Sequence, residues 1–85
     1  MRDILNIIDE SIVMLLGRRY EICRKVGLLK KHHGIPMMQP ERVQEVINRC
    51  IVAGENANVP AELTEKIYKL IIEHACAMET EIIDA

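Results

Sequence analysis

Apolar residues recur at helical spacing along almost the whole chain. Ile4, Ile8, Ile12, Leu15, Ile22 and Val26 follow one another at intervals of three, four and seven, which keeps them on one face of an α-helix. The pattern predicts a first helix from Arg2 to about His33. Gly34-Ile35-Pro36 ends it, because the residue before a proline is pushed out of the α conformation. A second helix is predicted from Pro40 to about Ala53, with Pro40 pre-set for a first turn and Gly54 just past the end. The third starts at Pro60, with Asn58 as a candidate cap, and carries Leu63, Ile67, Leu70, Ile71, Met78 and Ile82 on one side nearly to Ala85. No stretch alternates as a strand does, so the fold class is all-α. At 85 residues the three helices make a single domain, 1–85.

The first helix is too long for such a domain. Some 30 residues at ~1.5 Å rise make a rod of ~45 Å, against a diameter of about 30 Å for a compact chain of this size. The rod protrudes with its apolar stripe, and pairing two such helices in an intertwined homodimer covers it. A domain this small buries only roughly 60 to 65% of its unfolded surface, which also favours a partner subunit. Gly17 and Gly27 oppose the helix by about 1 kcal/mol each, a cost that tertiary packing has to outweigh. Met37 and Met38, in the loop from Gly34 to Gln39, either line a pocket or simply pack.

Charge and composition narrow the function. Eleven basic and 13 acidic side chains give a net charge of −2, and with two Tyr, no Phe and no Trp there is little to stack on bases, which argues against a nucleic-acid binder. Cys23, Cys50 and Cys76 are odd in number and far apart in sequence, forming neither a disulfide framework nor a CxxC pair, so a reducing, cytoplasmic compartment is expected. No apolar run approaches the ~20 residues of a membrane span, and Asp3, Asp9 and Glu10 are unlike a signal peptide.

Three charges stand in the wrong place. Arg19 falls between Leu15 and Val26 inside the apolar stripe, and Lys30 falls there too, three turns or ~16 Å further along the same face. Glu79 lies among Tyr68, Ile72 and Ala75 at the edge of the third helix's apolar arc. One reading is an internal ion-pair network, Glu79 pairing with Arg19 or Lys30. The other is a basic pocket, with Arg42 at the start of the second helix, suited to a compact dianion because arginine forks bind carboxylates bidentately. Arg2 lies on a different part of the wheel from Arg19, but in an antiparallel dimer of long helices it reaches the other subunit's pocket. The basic run Arg18, Arg19, Arg24, Lys25, Lys30 and Lys31 is either an anion-attracting face or a solvated surface. Standard catalytic sets are absent, and His32, His33 and His74 with Cys76 lack zinc spacing, so no metal is expected.

The ordered set Arg2…Asp9, Arg19, Gly27…Lys30, Gly34-Ile35-Pro36, Arg42 and Leu70-Ile71-Ile72-Glu73 resembles the AroQ-type chorismate mutases over essentially the whole chain. The resemblance implies a homodimer of three-helix protomers acting on a small dicarboxylate without a cofactor. Arg19 and the partner's Arg2 would clamp the two carboxylates, Lys30 would contact a carboxylate and the ether oxygen, and Arg42 would add positive potential. Glu79 would face the ether oxygen from the other side. It assists there only when protonated, which implies activity that falls as the pH rises through its ionisation in the complex.

Val43, Gln39 and Ala75 depart from the family pattern where the substrate ring is read; Val43 replaces a glutamate that contacts the C4 hydroxyl. The stretch Met37-Met38-Gln39-Pro40-Glu41-Arg42-Val43, together with Cys76, Glu79 and Glu81-Ile82-Ile83, is also similar to 4-amino-4-deoxychorismate mutases, and Pro40-Glu41-Arg42-Val43 to isochorismate pyruvate lyases. The expected activity is chorismate mutase. The alternatives are the same rearrangement of the amino compound, pyruvate elimination from isochorismate, and a non-catalytic helical dimerisation or regulatory domain.

Overall fold

The computed structural model describes residues 1–36 and 39–85. Met37 and Met38 lie outside the described residues. Three helices account for the fold: α1 Arg2–His33, α2 Pro40–Asn56 and α3 Ala61–Asp84. At ~1.5 Å per residue the 32 residues of α1 are ~48 Å long, and the longest dimension of the chain is 48 Å. The first helix is therefore the long axis of the molecule, as its length requires.

α1 ends where the sequence places its stop. Gly34 takes a left-handed conformation, φ 65°, and its N–H and that of Ile35 both turn back to the carbonyl of Lys30. Lys30, Lys31, His32 and His33 crowd the last turn and Asp3 the first, complementing the helix dipole at both ends.

Two expected boundaries are corrected. α2 does not stop before Gly54 but runs through it to Asn56. A Cβ on Gly54 would lie 2.6 Å from Thr64 Oγ1, so the glycine serves close approach of α2 to α3 rather than termination. Asn58 does not cap α3. It adopts φ 62° in the turn, a conformation that asparagine tolerates, and Pro60 occupies the N-cap with no side-chain hydrogen bond.

α3 is the central element. It packs against both other helices, while among the described residues α1 and α2 do not meet. α2 and α3 form an antiparallel hairpin. α1 runs parallel to α3, for Arg19 meets Tyr68 and Lys30 meets Glu79 at the same offset of 49 positions. Ile47, Ile72, Ala75 and Met78 form the small buried core, with Gly27, Thr64 and Glu79 also enclosed. The apolar stripe of α1 is not part of it: Ile4, Ile8, Ile12 and Leu15 are 47 to 65% exposed, as are Leu63, Ile67 and Leu70 of α3 at 43 to 59%. No described helix is long and apolar enough to cross a membrane.

The Gly54 contact gives a direct test of the hairpin. Gly54→Ala gains helix propensity but forces its methyl against Thr64, so a net destabilisation of about 1–3 kcal/mol is expected in urea unfolding. Adding Thr64→Ala removes the colliding hydroxyl and should restore most of the loss; two penalties that simply add would show that the helices do not touch there.

Candidate active site

The seam between α1 and α3 brings the misplaced charges together. Lys30 Nζ lies 3.0 Å from Glu79 Oε1, and the two side chains are 14% and 6% exposed. The contact depends on Gly27, one turn earlier on α1. A Cβ at that position would stand 3.3 Å from Glu79 Cγ and 3.5 Å from its Cα, tighter than or at the limit of ordinary contact, so a bare backbone lets α3 close on α1 at this level. The helix-propensity cost of Gly27 thus has a structural return. Gly17 faces open space, and nothing in the chain explains it.

Arg19 is half-buried three turns earlier. Its Cζ stands 6.0 Å from the centre of the Tyr68 ring, and its Nη1 donates to Cys23 Sγ at 3.6 Å. Among the described residues no carboxylate lies within salt-bridge distance of it. The two cations of the stripe therefore differ: Lys30 has a buried counterion, as the ion-pair reading expected, and Arg19 has only a π-face and a thiol.

Cys76 lies between them. Burial pushes its thiol up from the ordinary value, and the Glu79 carboxylate pushes the same way more strongly than Cys23, while Lys30 and Arg19 pull it down. One thiol thus senses both ends of the seam. Burial likewise pushes the Tyr68 hydroxyl up, helped by the Cys50 thiol of α2 and opposed by Arg19.

The remaining candidates sit elsewhere on the chain. Ala75, only 4% exposed, is one turn before Glu79 on α3. Gln39 is the exposed N-cap of α2, and Val43 is half-buried in its first turn. Antiparallel helices of equal rise place Val43 and Ala75 at one level of the hairpin, each 11 residues from the Gly54–Thr64 contact. Arg42 does not join Arg19 and Lys30 within one chain. It is exposed and pairs with Glu45 at 3.1 Å, because α1 and α2 are held apart by α3. Arg2 is exposed at the far end of α1, and Arg18, Arg24, Lys25 and Lys31 of the basic run are exposed too.

Sequence reasoning missed three contributors. Gly27 registers in the sequence as a propensity defect and as part of the Gly27…Lys30 pattern, but not as the close crossing it permits. Tyr68 shares the Glu79 arc but carries no signal that Arg19 would lie over it. Cys76 reads as one of three scattered thiols and as part of a family likeness, with nothing to place it in the seam.

Chemically, the seam offers a half-buried guanidinium and a half-buried ammonium three turns apart on α1, the ammonium keeping two N–H donors beyond its bond to Glu79. Such a pair can hold anionic oxygens and stabilise negative charge developing between them. Cys76 reports on this electrostatics. Removing the carboxylate beside it lowers its pKa, so Glu79→Gln should raise the rate of Cys76 alkylation at pH 8 about threefold, read by peptide mass spectrometry. An unchanged rate would mean that the Glu79 side chain does not act on the Cys76 thiol.

The chain is similar to known proteins along most of its length. Residues 1–80 match the family model described as chorismate mutase type II. The 4-amino-4-deoxychorismate mutase of Streptomyces pristinaespiralis is 33% identical over 82 residues, covering 95% of this chain and 63% of that protein. The chorismate mutase of Methanocaldococcus jannaschii is 27% identical over 84 residues, 99% of this chain and 85% of that one. The T-protein of Haemophilus influenzae is 26% identical over 81 residues, and there the match spans only 22% of the relative. With a match that runs across all three helices and the whole Arg19–Glu79 seam, the chain belongs to the chorismate mutase type II family.

Proposed function

We propose that the protein is a chorismate mutase, converting chorismate to prephenate by intramolecular rearrangement. The observation that carries this reading is Arg19, a half-buried guanidinium on the same face as Lys30 with no carboxylate of its own among the described residues. A structural arginine would be neutralised internally; this one suits a carboxylate brought by a ligand.

The reaction asks little of side-chain chemistry. One ether C–O bond breaks, one C–C bond forms, and no atom leaves or enters, so neither nucleophile nor cofactor is called for. The protein's part is to hold the substrate in the conformer that places the two ends together and to stabilise charge on the departing ether oxygen. Arg19 and Arg2 of the partner subunit clamp the two carboxylates. Lys30 contacts a carboxylate and the ether oxygen. Glu79 orients Lys30 through their 3.0 Å bond and borders the ether oxygen, which it favours when protonated and opposes when ionised. Arg42 adds positive potential from the first turn of α2, and Gln39, Val43 and Ala75 border the ring.

The assembly is a homodimer. The exposed apolar residues from Ile4 to Leu15 and along Leu63, Ile67 and Leu70 support it, since a monomer would leave them in water. It also supplies the second clamp, because Arg2 stands ~25 Å along α1 from Arg19 of its own chain. Three free thiols fit a reducing, cytoplasmic setting.

A second reading is the same rearrangement of 4-amino-4-deoxychorismate. It is favoured by the 33% identity to the Streptomyces pristinaespiralis enzyme and by Val43, which offers the ring substituent no hydrogen bond.

Purified protein offered chorismate, 4-amino-4-deoxychorismate and isochorismate separately decides between these readings. Prephenate is expected as the product of the most efficient reaction. Preference for the amino compound selects the second reading, pyruvate release from isochorismate makes it a lyase, and no turnover by a folded dimer leaves a binding or structural domain. Lys30→Met should lower kcat about 10²- to 10³-fold, and Arg19→Ala should lower kcat/KM comparably while the dimer persists on gel filtration. Val43→Glu should shift the ratio of kcat/KM toward chorismate by about tenfold. Mixing Arg2→Ala with Arg19→Ala subunits should regenerate one working site per mixed dimer; failure to regain activity would place Arg2 outside the partner's site.

A further inference from the structure

Arg19 needs a fixed direction to clamp a carboxylate, yet nothing charged holds it. What faces it is Tyr68, with Arg19 Cζ 6.0 Å from the ring centre, at the outer reach of a cation–π contact. The Cys50 thiol of α2 lies near the Tyr68 hydroxyl. Tyr68 thus faces a side chain of α1 and lies near one of α2, two helices that do not meet among the described residues. Burial keeps the phenol neutral, so the ring presents the same electron-rich face throughout the neutral range.

We propose that Tyr68 is the positioning residue for Arg19: the face of its ring, not its hydroxyl, sets the guanidinium against the substrate carboxylate. The inference rests on the mutase reading for its catalytic meaning, though not for its geometry. A guanidinium held over a ring face keeps N–H groups free, and those are the donors a carboxylate takes. A carboxylate partner in place of the ring would occupy the same donors and compete with the substrate. The aromatic contact thus orients Arg19 without neutralising it. The Cys23 thiol, a weak acceptor, steadies the other side of the guanidinium through Nη1.

Tyr68→Phe and Tyr68→Leu separate positioning from packing. Phe keeps the ring face and should leave KM and kcat within about twofold of the original. Leu keeps the burial but removes the π-face, and should raise KM about 5- to 20-fold with kcat changed less than threefold, the signature of weakened ground-state binding. The guanidinium proton resonances of Arg19 provide a readout independent of turnover. They should be displaced upfield by the ring current in the original and the Phe variant, and relax in the Leu variant. Equal damage by Phe and Leu, or an unchanged KM in a folded Leu variant, overturns the proposal. Ring-current displacement in a protein that turns over no substrate would refute the mutase reading while leaving the Arg19–Tyr68 geometry intact, and turnover without the displacement would do the reverse.

Discussion

The approach of α1 to α3 at Gly27 governs the rest of the structure. Without a side chain there, the backbone of α1 comes close enough to α3 for Lys30 to bond Glu79 inside the seam. A buried ion pair of this kind stabilises little in net terms, since desolvation offsets most of the attraction, but separating it by removing one partner costs about 3–5 kcal/mol. Its contribution is register. It fixes α1 against α3 at one end, and the same offset of 49 positions then sets Arg19 over Tyr68 three turns away.

That register creates an asymmetry between two cations that the helix itself treats alike. Lys30 is neutralised in place and oriented by its counterion, so its charge is aimed but tempered. Arg19 keeps its full charge on a surface of rings and thiols, where little competes for its N–H groups. On the proposed function, a dianionic substrate would meet one oriented donor and one unpaired donor, both in place before it arrives. Cys76, whose thiol responds to both ends, sits where the two fields overlap.

Much of this was readable in the chain. Helical periodicity, the glycine and prolines at the breaks and the length of α1 gave three helices and a protruding first one, because these features act locally. Arg19, Lys30 and Glu79 were visible as charges on apolar arcs for the same reason. Gly54 was misread as a stop because a glycine at a helix end and a glycine at a helix crossing look identical until the neighbour is known to be Thr64. Arg42 was grouped with Arg19 and Lys30 because a helical wheel does not say which helices touch; α3 stands between them. The choice of Lys30 over Arg19 as the partner of Glu79 likewise depended on the crossing point.

Parallel pairing of α1 with α3 bears on the order in which the fold assembles. The α2–α3 hairpin joins neighbours across the short turn from Ala57 to Pro60, so its first contacts close a small loop. Lys30 and Glu79 are 49 positions apart, and the chain must travel out along α2 and return along α3 before they meet. Loop-closure entropy grows with that separation, and non-local contacts form late. The hairpin therefore serves as the template on which α1 docks. The α1–α3 seam, being the product of that docking, is the last part of the protomer to exist, and a chain with its secondary structure complete can still lack it.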